Sequence, residues 1–199
     1  MARTKNQAQR REALIAATLQ TVGESGLRSL SLADVARRAG LTRGAILYYY
    51  DDLDDLLVET HRAGVARFCD RRDEVIAALA DPREQLRAAI REGLPSGPDD
   101  ALMRLLYEFD VLAGTSQIHD ELVENLYTRQ LRIYREVLES GVAAGAFTPT
   151  IPLEQLAMNL VALEDAYGLH IVGGNSLIDV ASAESAMRAA AAGLGAPPS

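Results

Sequence analysis

SLADVARRAGLTRGAILYYY, residues Ser31 to Tyr50, is typical of two short helices joined by a tight turn. In the first half, apolar residues recur at helical spacing, and Ser31 precedes them as an N-cap whose partner in a capping box is Asp34. Gly40 follows the last apolar position, where a left-handed residue ends a helix and reverses the chain. Thr42 then caps a second helix. The stretch therefore predicts a helix-turn-helix.

The outward face of the second helix differs from an ordinary solvent-exposed surface. Ile46 and Tyr50 are predicted to point inward. The outward residues mix a cation, small side chains and larger apolar ones: Arg43, Gly44, Ala45, Leu47 and Tyr49. Small residues let a helix come close to base edges in a groove of DNA. The alternative is a helical hairpin that only packs against its neighbours, and the motif alone leaves both open.

The segment from about Ala8 to Leu57 resembles the N-terminal DNA-binding domain of the tetracycline-repressor (TetR) family of transcription regulators. The first helix of that domain corresponds to RREALIAATLQTVGESG, residues 10–26, and the family's threonine cap falls on Ser31. The IA-x-x-AG motif corresponds to VARRAG, residues 35–40, and the S-K-G-x-L-Y-x-x-F recognition helix to TRGAILYYY, residues 42–50. The resemblance covers about a quarter of the chain and implies a DNA-binding head.

Three positions depart from the family pattern. Leu47 stands where a tyrosine is common, Tyr50 where a phenylalanine is common, and Leu53 where a lysine usually contacts a DNA phosphate. Leu53 lies inside the acidic run DDLDD, whose carboxylates can cap the following helix but repel a phosphate. The expected DNA contacts therefore move to the motif and to a basic N-terminal arm: Arg3, Lys5, Arg10, Ser31, Thr42, Arg43, Gly44, Ala45, Leu47, Tyr48 and Tyr49.

Charge is distributed unevenly along the chain, although the net charge of -8 would by itself argue against a nucleic-acid partner. Residues 1–50 contain eight basic and three acidic residues, a net charge of +5. The other 149 residues contain 12 basic and 25 acidic residues, a net charge of -13. A basic head on an acidic body is expected when one domain meets phosphates and the other does not.

The single cysteine, Cys69, excludes an internal disulfide and a zinc site built on paired thiolates, which favours a reducing cytoplasm. His61, His119 and His170 fall on three different predicted helices, so we expect no metal site, and we expect no cofactor. No apolar run reaches the roughly 18 residues of a membrane span, and no charged-then-apolar leader is present. We therefore expect neither membrane association nor secretion.

Beyond Tyr50 the pattern is helical, interrupted by short Pro and Gly clusters, and strand patterns are missing. The fold class is therefore predicted to be all-α, with about nine helices in total. Residues 1–52 form the predicted arm and three-helix DNA-binding domain, and residues 53–199 form a larger effector-binding and dimerisation domain. The further helices are predicted over residues 52–80, 82–94, 99–113, 117–144, 152–172 and 179–194.

The last two helices form the dimer interface in the resembling family. Here the final helix is rich in alanine, which allows close approach of a partner helix, so we expect a homodimer. The alternative is a terminal helix on a monomer. Effector-binding candidates are the polar or aromatic groups that interrupt apolar stripes: His61, Tyr107, Asp110, Tyr127, Tyr134, Asn159, Glu164, Tyr167 and His170.

The leading hypothesis is a ligand-responsive homodimeric repressor that binds a palindromic operator in double-stranded DNA and is released by a small-molecule effector. One alternative is an effector-independent DNA-binding dimer. Another is an enzyme built on the helical body, but the sequence offers no nucleophile–base pair, phosphate-binding loop or cluster of metal ligands.

Overall fold

The computed structural model describes the backbone of residues 2–199 and the side chains of residues 7–110 and 112–199. Within that part of the chain the regular structure is entirely helical, which confirms the predicted all-α class. The α-helices are α1 (Ala2–Ser25), α2 (Leu32–Ala39), α3 (Arg43–Ile46), α4 (Leu53–Ala77), α5 (Pro82–Gly93), α6 (Ala101–Phe109), α7 (Gln117–Ala143), α8 (Leu153–Val172) and α9 (Val180–Gly193). Of the helices described, none is long and apolar enough to cross a membrane.

Three helix boundaries differ from the predicted ones by four residues or more. α1 begins at Ala2 instead of Arg10, so helix replaces the predicted polar arm. α3 ends at Ile46 instead of Tyr50, because the chain tightens into a turn in which Tyr49 N donates to Ile46 O (2.8 Å). α6 ends at Phe109, and a 3-10 turn replaces its predicted last residues.

The chain forms two compact units. The first contains Met1–Ala66 and Ala101–Val123, and the second contains Arg67–Asp100 and Glu124–Ser199. α4 and α7 each contribute residues to both. The predicted functional boundary between residues 52 and 53 stays a prediction, because units of packing and functional domains are different divisions.

The first unit is built around α1, which packs against α2 and α6, while α2 packs against α3. A continuous apolar core includes Leu14 from α1, Val35 from α2, Ile46 from α3 and Phe109 from α6, all of them 0% exposed. α1 and α6 approach closely at Gly23, where a Cβ atom would lie 2.6 Å from the Ala101 Cβ. The helix-turn-helix is thus anchored to an apolar core.

The second unit is built around α8, which packs against α9, and α5 packs against both. Leu86 and Ile90 from α5 and Leu156 and Leu160 from α8 are buried in this unit. Met187 from α9 is also fully buried. Buried apolar residues of α5, α8 and α9 therefore form part of the core of this unit.

Candidate functional site

The helix-turn-helix is held by local caps. Ser31 Oγ accepts a hydrogen bond from Asp34 N (3.3 Å), and Thr42 Oγ1 accepts one from Ala45 N (3.2 Å). Gly40 adopts the predicted left-handed conformation, with φ 64°. The predicted return bond from Asp34 to the Ser31 amide is replaced: the Ser31 hydroxyl donates to Asp34 Oδ2 (2.5 Å). This bond, with the nearby Arg37 guanidinium, lowers the pKa of Asp34.

The recognition segment, residues 42–50, buries both predicted inward residues, but Tyr49, predicted to point outward, packs partly against the core. Ile46 is 0% exposed and Tyr50 is 2% exposed, whereas Leu47 is 43% and Tyr48 is 64% exposed. Thr42, Arg43 and Gly44 are exposed, and Ala45 and Tyr49 are half-buried. A large apolar side chain and an aromatic one are therefore available to a partner beside a cation.

Arg11 from α1 fastens the end of the recognition segment. Its Nη2 donates to the Tyr49 carbonyl (2.8 Å), and its Nη1 pairs with Glu59 Oε2 (2.5 Å). The guanidinium also lies 4.8 Å from the centroid of the Tyr50 ring. Sequence reasoning counted Arg11 only as part of the basic head, because its partners are 38 and 48 residues away.

The second unit contains a buried ion pair between Arg72 from α4 and Glu164 from α8, and both side chains are 0% exposed. The contact is bidentate, with Nη1 to Oε1 at 3.1 Å and Nη2 to Oε2 at 2.8 Å. Tyr134 Oη donates to Oε2 (2.7 Å) and Gln130 Nε2 donates to Oε1 (2.9 Å). The carboxylate thus accepts four hydrogen bonds, as a buried charge requires.

The surroundings of Arg72 and Tyr134 keep both side chains protonated. Burial opposes the charge of Arg72, but the Glu164 carboxylate holds the pKa of the guanidinium above its usual value. Burial and the same carboxylate raise the pKa of Tyr134, which stays protonated and donates. α5 passes so close that a Cβ atom at Gly93 would overlap the carboxylate. Cys69 is also buried, and burial raises the pKa of its thiol to about 11.

A second buried polar group, His61 from α4, lies in the first unit. Its ring is 0% exposed and stacks on Phe109 with centroids 4.1 Å apart. Among the side chains described, neither ring nitrogen of His61 has a hydrogen-bond partner. Burial, with a smaller effect from His119, lowers the pKa of His61 to about 4, so the ring is neutral at neutral pH. Unlike His61, His119 has a charged neighbour, since its Nε2 lies 2.9 Å from Asp54 Oδ1.

Comparison with known proteins gives the same family from two directions. A family model described as "Bacterial regulatory proteins, tetR family" matches residues 14–60. The HTH-type transcriptional regulator BetI of Burkholderia ambifaria is 32% identical over 173 residues, covering 83% of this chain and 84% of the relative. The chain belongs to the tetR family.

Solved structures of regulators share the fold of this TetR-family protein. A transcriptional regulator from Saccharomonospora viridis, crystallised in complex with choline, has a TM-score of 0.86 and 20% identity, covering 93% of this chain and 96% of that one. A regulator from Rhodococcus sp. Rha1 has a TM-score of 0.78 and 26% identity, covering 92% and 95%. The relatives named here are transcriptional regulators, and so is this chain.

The predicted effector residues of this TetR-family regulator fall in both units of the chain. In the second unit Tyr134 and Glu164 are buried and in contact, and in the first unit His61 is buried. Tyr107 and Tyr167 are half-buried, while Asp110, Tyr127, Asn159 and His170 are exposed. Asn159 interrupts an apolar stripe in the sequence, but its side chain is exposed on α8. Ligand contact by any of them stays a prediction.

A groove of about 340 Å³ lies elsewhere, between α5 and α9. Arg87 and Arg91 line it, and their Nε atoms lie 3.9 and 3.7 Å from the Glu184 carboxylate. No predicted effector residue contributes to this groove. Two arginines and three glutamates line the groove, and such partly exposed ion pairs are typical of a solvated surface.

Sequence reasoning missed Arg72 and Gln130, the partners of Glu164. A signal for Arg72 was present, since Val65, Phe68 and Arg72 recur at helical spacing and place a cation on an apolar stripe. Of the predicted DNA contacts, Arg10 is exposed on α1, while the side chains of Arg3 and Lys5 lie outside the described residues. All DNA contacts stay predictions.

The Arg72–Glu164 pair makes a testable contribution to stability. Glu164→Leu leaves a buried guanidinium without its counter-ion, so the free energy of unfolding should fall by about 3–5 kcal/mol. The double variant Arg72→Met, Glu164→Leu removes both charges and should recover most of that loss. Urea denaturation measures both values. Arg71→Met, at an exposed cation, is the control and should change stability by less than about 1 kcal/mol. A double variant no more stable than Glu164→Leu would contradict charge pairing as the cause.

Proposed function

We propose that this regulator is a ligand-responsive homodimeric repressor of a palindromic operator in double-stranded DNA. The observation that carries the proposal is the recognition segment, where a cation and apolar side chains stand exposed on a capped motif in the basic part of the chain. A helix-turn-helix of this kind places its second helix in the major groove, and two copies read two half-sites.

Arg43 is the strongest candidate for a phosphate contact. Arg37 is paired with Asp34 and Arg38 with Glu24. Within the described residues, no carboxylate lies at ion-pair distance from Arg43, so its charge is available to DNA. Phosphate contacts of this type supply much of the affinity and make it dependent on salt.

Arg43→Ala tests the DNA assignment on a duplex selected from a random library by the wild-type chain. The variant should bind more weakly, and the slope of log K against log salt should fall by about one, because one counterion fewer is released. Fluorescence anisotropy over a salt series measures both. Arg135→Ala makes the same charge change at an exposed site in the second unit and should leave the slope unchanged. Equal affinity of Arg43→Ala and wild type would contradict the assignment.

Dimerisation is supported by the open face of α8. Met158 is 46% exposed, Leu169 is 56% exposed, and Leu177, in the connection to α9, is 88% exposed. Ala189 and Ala192 on α9 are also exposed and small enough for close approach of another helix. Clustered exposed apolar side chains mark interaction sites, and a second copy of this chain would cover them.

The dimer proposal predicts a change of mass in solution. Light scattering should give two chains for the wild type and one chain for Met158→Glu, Leu169→Glu, since charges on both sides of a two-fold interface repel and lose hydration. Val142→Glu, at an exposed apolar residue of α7, is the control and should keep two chains. A wild-type mass of one chain would contradict the proposal.

Effector binding is supported by His61. A buried polar group without a partner costs about 1–3 kcal/mol, and a ligand with a hydrogen-bonding group would remove that cost. α4 begins three residues after Tyr50, so it directly follows the recognition segment. A ligand that shifts α4 would therefore move that segment. To release DNA, the effector must bind the DNA-incompetent state more tightly than the competent one.

Choline is the first probe, because a regulator of the same fold was crystallised with it. A cationic effector would not find a free carboxylate at Glu164, which is paired with Arg72. Choline should raise the thermal midpoint of the wild type and of His170→Phe, an exposed-site control, but not of His61→Phe. An equal shift in His61→Phe would contradict His61 as the contact, and no shift in any chain would exclude choline.

A further inference from the structure

The middle of the recognition segment offers few groups that can hydrogen-bond to bases. Purines are read in the major groove by bidentate contacts from Arg, Lys, Asn or Gln. Between Arg43 and Tyr48 the side chains are Gly44, Ala45, Ile46 and Leu47, and none carries a polar atom. This part of the segment can distinguish bases only by shape and apolar contact.

Leu47 is positioned for such a contact. The Leu47 side chain is 43% exposed, although Ile46 beside it is fully buried. Leu47 is therefore only partly packed against the core of the first unit. Leu47 N donates to Arg43 O (3.1 Å), which places the two residues one helical turn apart on the same side. One turn advances about 5.4 Å, the distance of one to two base-pair steps.

Gly44 has no side chain, so the surface beside Leu47 is recessed. A Cβ atom at Gly44 would meet only Thr42 Oγ1, at 4.0 Å, so the position is open rather than filled. The backbone can therefore come close to the floor of a groove. Ala45 adds a half-buried methyl group next to it.

One base has an apolar group on the major-groove edge, the C5 methyl of thymine. We propose that Leu47, flanked by Ala45, recognises a thymine methyl in each operator half-site, one to two base pairs from the Arg43 contact. The assignment rests on the proposed operator binding and adds the chemistry of the base that the segment selects. It also gives a role to the leucine that stands where the resembling family commonly has a tyrosine.

Replacement of thymine by uracil tests the proposal, because only the C5 methyl is lost and base pairing is kept. A duplex is first selected from a random library with the full wild-type chain, and uracil then replaces each thymine singly. At one position in each half-site the Kd should rise roughly fourfold, the value expected for one buried methyl group.

Leu47→Ala should bind the thymine duplex more weakly and should no longer distinguish it from the uracil duplex at those positions. Tyr48→Phe, which removes only a hydroxyl, and Arg43→Ala should both keep the roughly fourfold distinction. Because the Leu47 side chain is 43% exposed, Leu47→Ala should fold like the wild type. The thermal midpoint of each variant verifies its folding. Wild-type affinity that is indifferent to every uracil, or a distinction that survives in Leu47→Ala, overturns the assignment. If no duplex is selected, operator binding itself fails and the assignment with it.

Discussion

A recognition helix of four residues cannot hold its own conformation, because helices this short are unstable in water without tertiary contacts. In this chain Ile46 and Tyr50 are buried in the core of the first unit, and Arg11 binds the carbonyl of Tyr49. The exposed residues between these anchors therefore have little freedom to move. Preorganisation of this kind lowers the entropic cost of binding a rigid partner such as duplex DNA.

The second unit obtains its order from a different source. Arg72 and Glu164 are separated by 92 residues in sequence, yet they form a bidentate pair without any exposure to solvent. Such a pair adds little net stability over apolar residues, but it is intolerant of misplacement, since either charge alone in the interior is costly. Tyr134 and Gln130 donate to the Glu164 carboxylate, and Gly93 has no Cβ atom that would overlap it. We infer that the pair specifies how α4, α7 and α8 pack within this unit.

The features that the sequence predicted are the local ones. Gly40 and Thr42 act within four residues, and the alternation of buried and exposed positions around Ile46 follows from helical period, so these could be predicted directly. The contact between Arg11 and the Tyr49 carbonyl could not, because the two residues are 38 positions apart in the sequence. Asn159 shows the same limit. α8 is apolar on more than one side, and the sequence does not say which side the chain itself covers.

Cys69 gives this architecture a useful kinetic property. It is the single cysteine of the chain, it is fully buried in the second unit, and its thiol pKa is raised to about 11. Because only an exposed thiolate reacts with alkylating reagents, the native side chain is protected in two ways. Its rate of alkylation thus measures how often the interior around the Arg72–Glu164 pair opens, without any introduced label. Cys69 is therefore a native probe for the rate of local opening in the second unit.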